Sequence, residues 1–143
     1  MPAKFYEYNI SSKLKDKRRL SAFLDELVAK HIKKLKKVQL SYIFCDDEYL
    51  LQINKEFLSH NTLTDIVTFD LSEHKHELQG EIYISAERVK ENAEKFSANY
   101  NEELHRVIFH GALHLCGFND KTKEDKEKMR KKEDRCLKEY LNH

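Results

Sequence analysis

No stretch of this sequence approaches the roughly 20 consecutive apolar residues that a membrane-spanning helix needs. The N-terminal run MPAKFYE also has no signal-peptide apolar core. No membrane partner is therefore expected, and the localisation read from the sequence is cytoplasmic. Cysteine is scarce: Cys45, Cys116 and Cys136 are odd in number, far apart and form no CxxC pair. That pattern excludes a disulfide framework and a thiolate zinc cluster, and the expectation is three reduced thiols. No repeat, low-complexity segment or linker interrupts the chain. Its 143 residues, 40% hydrophobic and 36% charged, are expected to form one domain, 1–143, with a single modest core.

A net charge of +1 conceals an uneven distribution. Residues 1–37 carry 11 lysines and arginines against 4 acids, residues 38–104 carry 5 against 14, and residues 105–143 carry 10 against 7. Basic ends around an acidic middle can form a face that attracts polyanions, because lysine and arginine neutralise phosphates with release of counterions. Two solvated helices would produce the same pattern.

The pattern of apolar residues predicts alternating elements. KFYEYNI, 4–10, reads as a strand. From Asp16 to Lys37, Leu20, Phe23, Leu24, Leu27, Val28, His31, Ile32 and Leu35 recur at helical spacing and mark one amphipathic helix. On that stripe His31 reads as a packed histidine. VQLSYIFC, 38–45, is rich in β-branched and aromatic residues and predicts a strand. Asp46 or Asp47 can cap the next helix, whose apolar side includes Leu50, Leu51, Ile53 and Phe57. Thr64–Leu71 and Glu81–Ala86 read as a hairpin around the polar turn SEHKHELQG, in which His74 and His76 are explained by an exposed loop as well as by a metal pair. Helices follow at about 86–97, at 101–116 starting from Asn101, and at 123–141, where Thr122 and Asp125 resemble a capping box. The expected fold is α/β: a small mixed sheet of about four strands with about five helices around it.

The chemistry concentrates in HGALHLCGFND, residues 110–120, at the end of the fourth helix. His110 and His114 are four residues apart, so they share one helix face with Cβ atoms about 5–6 Å apart. Gly117 can adopt the left-handed conformation that ends a helix, and a chain reversed there can bring Asp120 back over the histidines. Two imidazoles and a carboxylate suit zinc and leave a fourth position for water. The spacing H-x-x-x-H-x-x-G-x-x-D is that of the metzincin proteases, but those enzymes need a glutamate beside the first histidine, and here that position is Gly111. A peptidase would lack its base. Cys116, between His114 and Gly117, is read as a packing thiol rather than a fourth ligand.

HGALHLCGFND resembles the H-G-x-L-H-L-x-G-Y-D-H signature of the YbeY family, bacterial single-strand-specific endoribonucleases that mature ribosomal RNA and act in ribosome quality control. The resemblance extends along the chain. Asn54–Phe57 is similar to the family's N-x-x-Y, Thr64-Asp65-Ile66-Val67-Thr68-Phe69 to its P-T-D-V-L-S-F, Gly80-Glu81-Ile82-Tyr83-Ile84-Ser85 to its G-D-I-x-I-S strand, and Glu103-Leu104 to the E-L that precedes its metal helix.

Carried over position by position, the resemblance implies that His110 and His114 are the first two metal ligands and that Asp120 stands where the family has its third histidine. Asn119 replaces the preceding aspartate. Leu58 occupies the place of an arginine thought to help hold the scissile phosphate, and Leu63 that of a proline. His60, Arg106 and Lys121 are the polar candidates to supply the missing contact, with His60 and Arg106 as catalytic and Lys121 and Arg106 as RNA-binding candidates. The implied activity is hydrolysis of single-stranded RNA by a water activated on one divalent metal, zinc being the expected ion. Ribosomal RNA and ribosomal or ribosome-associated proteins are the implied partners. Two alternatives stay open: a non-catalytic RNA-binding or ribosome-assembly factor with a structural metal and, third, a metalloprotease.

Overall fold

The computed structural model describes residues 2–60 and 62–141. The elements run β1 (Ala3–Glu7), α1 (Lys17–His31), β2 (Lys37–Cys45), α2 (Asp47–Leu58), β3 (Ile66–Asp70), β4 (Glu77–Ser85), α3 (Ala86–Lys95), α4 (Tyr100–Leu115) and α5 (Lys123–Leu141). The four strands form one sheet in the order β1-β2-β4-β3. β1, β2 and β4 are mutually parallel, and β3 closes the edge antiparallel to β4, with Ile66 opposite Ile84 and Asp70 opposite Gly80. The mixed α/β architecture expected from the sequence is the one observed. Among the described residues no helix is long and apolar enough to cross a membrane.

Strict alternation in β2 and β4 explains the layering. Leu40, Tyr42 and Phe44 of β2 and Leu78, Ile82 and Ile84 of β4 point to one face and are buried with Leu20, Leu24 and Val28 of α1 and Leu104, Ile108 and Leu113 of α4. The opposite face is covered near β3 and β4 by α2, whose Leu50 and Ile53 pack with Cys45 and Val67. α4 is the central helix, and nine of its residues, from Leu104 to Leu115, are buried. Tyr42 donates its buried hydroxyl to the Ile108 carbonyl at 2.9 Å and ties α4 to β2.

Several boundaries differ from the sequence reading. β1 ends at Glu7, and Asn9 with φ 58° turns the chain away from the sheet, so residues 8–10 are not strand. The first helix stops at His31: Ile32 is extended and Lys34 has φ 64°, although Ile32 and Leu35 still pack against the core from the irregular segment. β4 begins at Glu77 rather than Glu81, which shortens the turn after β3, and α4 is capped by Asn99, not Asn101. Glu103 and Leu104 therefore lie inside α4 rather than before it. Asp46 caps α2 by accepting from the Tyr49 amide at 2.9 Å, and Thr122 caps the start of α5 by accepting from the Asp125 amide at 3.0 Å. Phe57, expected on the apolar side of α2, is 63% exposed and makes a T-shaped pair with Phe69 at 6.0 Å between centroids. His31 packs edge-on against Phe118 at 4.9 Å.

Gly111 answers to packing rather than to chemistry. A Cβ placed there would stand 2.9 Å from Ile82 Cγ2 and 3.1 Å from Ile66 Cδ1, so the absent side chain lets α4 lie close on β3 and β4. It does not make room at the histidine face. Gly111→Ala is expected to lower stability by about 1 kcal/mol. The overpacking cost of roughly 1–3 kcal/mol exceeds the roughly 1 kcal/mol of helix propensity gained. Thermal unfolding of the variant beside the natural chain measures it.

Candidate metal centre and RNA groove

Because α4 is buried on nearly every side, the stripe it leaves open carries the polar residues. Glu103, Arg106, Val107, His110 and His114 follow one another at helical spacing and all line one groove of about 640 Å³. Its other walls are Thr64–Thr68 at the start of β3, Asn92 and Phe96 of α3, Leu58 at the end of α2, Asp120 in the loop after α4, and Lys126, Met129, Arg130 and Glu133 of α5. His110, His114 and Asp120, predicted as a set, thus lie in one groove. Arg106 lines it as well. His60 and Lys121 are exposed and do not line it.

The loop that returns Asp120 is held at several points. Gly117 has φ 102°, the left-handed conformation that reverses the chain, and the Gly117 and Phe118 amides donate to the His114 and Leu113 carbonyls at 3.0 and 3.2 Å. Phe118 is then fixed between His31 and the Lys132 ammonium, which lies 4.5 Å from the ring centroid. With its ring anchored there, Asp120 Oδ2 comes to 3.6 Å from His110 Nε2.

That distance is too long for a hydrogen bond. It is close to the edge of a zinc tetrahedron, in which bonds of about 2.0–2.2 Å place neighbouring ligand atoms roughly 3.3–3.5 Å apart. On the other side of the ring, His110 Nδ1 is 2.7 Å from Glu133 Oε2. An imidazole that donates through Nδ1 presents a bare Nε2 lone pair, the arrangement that carboxylate partners impose on metal-binding histidines. His114 is exposed one turn further along, and no hydrogen bond to a described residue holds its side chain. Among the described residues no three His, Cys, Asp or Glu donors already converge on one point. His110 and Asp120 supply two donors near ligand spacing, and His114 lines the same groove one turn further along α4, a donor set whose chemistry suits one divalent ion.

Glu133 is the residue that sequence reasoning missed. The run Lys126 to Arg135 reads as a solvated mixed-charge face, yet Met129 and Glu133 are buried, Lys132 is half-buried and only the other residues face out. Glu133 Oε1 also accepts from Arg106 Nη1 at 3.2 Å, and Arg106 Nη2 reaches Asp134 Oδ1 at 2.7 Å. The Arg106 side chain is only 12% exposed, and its guanidinium is committed to these carboxylates and steadies Glu133. The signal available in the sequence was the spacing 126, 129, 130, 133, one face of a helix, hidden by the lysines around it. Asp65, quoted for the resemblance but not chosen as a site residue, also lines the groove. Its backbone carbonyl accepts from the Ser85 amide at 3.0 Å.

The electrostatics follow from this grouping. Burial disfavours the charged form of His110, but the hydrogen bond and charge of Glu133, with Asp120 and Asp65 beyond, outweigh it and raise its pKa. Burial raises the Asp65 pKa, with His110 opposing, and burial likewise raises that of Glu103, opposed by Arg106. Four carboxylates, Asp65, Glu103, Asp120 and Glu133, thus crowd one groove. Burial pushes the Cys116 and Cys136 thiols up to about 11 and Cys45 up to about 12, which keeps all three protonated at neutral pH and poor as ligands. Cys116 packs against the core. His74 and His76 are exposed in the β3–β4 turn.

Elsewhere the quoted motifs hold the backbone. Asn54, 3% exposed, donates its amide to the Thr62 carbonyl at 2.9 Å and so fixes the segment that enters β3. Leu58, where the family carries arginine, is a 40% exposed apolar residue on the groove wall.

Known proteins resemble this chain in both sequence and fold. A sequence model of the family described as endoribonuclease YbeY matches residues 6–141. A Cytophaga hutchinsonii protein named endoribonuclease YbeY is 45% identical over 133 residues, 93% of this chain and 92% of its own. A Flavobacterium psychrophilum protein of the same name is 54% identical over 100 residues, 70% of this chain and 71% of its own. A Thermotoga maritima protein whose structure was solved in solution superposes with a TM-score of 0.65 at 31% identity, over 96% of this chain and 91% of that one. The fold, the order of the motifs and these relatives together place the chain in the YbeY endoribonuclease family.

Proposed function

We propose that this protein is a metal-dependent endoribonuclease that cuts single-stranded RNA during ribosomal RNA maturation and ribosome quality control. The observation that carries the reading is His110, on the one open stripe of a buried helix, with Nδ1 held by Glu133 and Nε2 facing Asp120 at 3.6 Å. Zinc held by His110, His114 and Asp120 would supply a water that ionises near neutral pH and a Lewis acid for the phosphoryl oxygen.

The chain's own residues do the rest. Glu133 keeps the proton on His110 Nδ1 and so keeps Nε2 a donor of its lone pair. Lys126 and Arg130, both exposed on the α5 wall, attract the RNA backbone, and the groove aligns it past His110. An acidic floor by itself would repel a phosphodiester. The same four carboxylates are what a dication needs nearby, which favours a metal-loaded groove over a bare one. Gly111 stands beside the first histidine where the metzincin pattern carries its glutamate base, and it faces the sheet, which argues against peptide hydrolysis by that mechanism. Sequence readout would be weak, with the choice of target left to the ribosome or its associated proteins in the cytoplasm.

The test is cleavage of an end-labelled single-stranded RNA by zinc-loaded protein, by the same protein stripped with chelator, and by stripped protein with zinc restored. Cleavage should fall at least about a hundredfold on stripping and return on restoration. Tight RNA binding with no cleavage in any of the three would instead support an assembly factor with a structural metal, a reading that the apolar Leu58 on the groove wall favours.

A further inference from the structure

We infer that Phe96 and Asn92 form a subsite for one unpaired nucleobase of the RNA, a contact through which the groove selects single strands. The inference rests on the endoribonuclease reading and adds to it a place where the strand is read. Phe96 is 65% exposed and lines the same groove as His110 and His114. A single exposed phenylalanine is ordinary on a protein surface, but one on the wall of a polyanion groove offers a flat π-face where a strand must pass.

The ring stands on a firm base. The Phe96 amide donates to the Asn92 carbonyl at 3.0 Å, and the Ser97 and Ala98 amides close the helix end onto Glu94 and Ala93 at 3.2 and 2.8 Å. At its other end α3 is anchored by the Arg88–Asp47 ion pair at 2.7 Å. Lys95 Nζ lies 5.7 Å from the Phe96 ring centroid and adds a cation beside a stacked base, where the strand's phosphates follow.

Asn92 is four residues before Phe96, so the two share one helix face, and both line the groove. Its side-chain amide carries donor and acceptor together and makes no hydrogen bond to a described residue. A base resting on Phe96 can therefore offer its edge to Asn92. Both contacts need a base whose faces and pairing edge are free. In an A-form duplex the faces are stacked and the pairing edges are occupied, so duplex RNA cannot use the subsite.

The experiment is equilibrium binding of short single-stranded RNAs carrying 2-aminopurine at successive positions. The zinc-loaded natural protein is compared with Phe96→Leu and Phe96→Trp, with cleavage followed in parallel. The natural chain should quench the fluorophore at one position, and Phe96→Leu should abolish that quenching and weaken single-strand binding about tenfold. Phe96→Trp should restore both, and duplex binding and zinc content should stay unchanged in all three. Because the ring is exposed, melting temperatures should match, which separates stacking from folding. If the natural protein cuts RNA and Phe96→Leu binds and quenches as it does, the subsite is wrong and the endoribonuclease reading stands. If the natural protein neither binds nor cuts RNA, both are wrong.

Discussion

Glu133→Ala is expected to lose zinc affinity by roughly 10- to 100-fold and to unfold at a markedly lower temperature than the natural chain. The two effects have one source. The carboxylate, its side chain only 8% exposed, accepts from His110 Nδ1 at 2.7 Å and from Arg106 Nη1 at 3.2 Å. Outer-shell partners of this kind typically contribute 10- to 100-fold to metal affinity by fixing the tautomer and orientation of the ligand. Removing one member of a buried pair leaves the other uncompensated, at about 3–5 kcal/mol. Arg106 keeps Asp134 at 2.7 Å and Glu103 at 4.0 Å, so the loss here should be nearer 2–3 kcal/mol. Glu133→Gln separates the two effects. It preserves bulk and one acceptor, and so should recover most of the stability, while its neutral amide leaves His110 a weaker donor and the metal affinity low. Thermal melting and a competitive zinc titration on both variants check this. Natural affinity in Glu133→Ala would remove Glu133 from the site.

His114→Ala should behave in the opposite way, with a large loss of activity and almost none of stability. A direct ligand is worth more than its outer-shell support, so cleavage of single-stranded RNA should fall by roughly a thousandfold or more, beyond the 10- to 100-fold of an outer-shell change. His114 is exposed and makes no hydrogen bond to a described residue, so its removal should change stability by no more than about 0.5 kcal/mol. Alanine is also the better helix former. Activity and melting temperature measured on the same preparation distinguish this outcome from simple misfolding. Unchanged cleavage would point to a contaminating nuclease.

The strands and α4 were legible because their burial is one-sided or nearly complete. Leu40, Tyr42 and Phe44 alternate because one face of β2 meets α1 and α4, and alternation is what a sequence displays directly. The end of α1 was not legible for a related reason. Ile32 and Leu35 are apolar because they pack against the core, and helical spacing cannot tell a helix turn from an irregular segment lying on the same surface. The reversal at Lys34, with φ 64°, has no glycine to announce it. Phe57 failed differently: its position matches the stripe of α2, but the ring is largely exposed and meets Phe69 at 6.0 Å between centroids.

In the site, the local part was legible and the long-range part was not. His110, His114, Gly117 and Asp120 fall within 11 residues, so helix pitch and one left-handed turn predict that His110 and Asp120 approach each other and that His114 lines the same groove. Glu133 comes from α5 and Phe96 from α3, and only the packing of those helices on α4 brings them to the groove. Arg106 was legible as a polar residue on α4, but its commitment to Glu133 and Asp134 depends on the same helix packing. Gly111 is visible in the sequence only as the absence of a glutamate. Only the 2.9 Å approach to Ile82 shows that it belongs to the helix–sheet contact.

The proposed activity requires one divalent ion held between His110, His114 and Asp120. The most direct measurement is elemental zinc analysis of the purified, zinc-equilibrated natural protein beside His110→Ala and His114→Ala, all three verified as folded. About one ion per chain in the natural protein and almost none in either variant is the predicted result. Zinc retained in full by both variants would contradict the account.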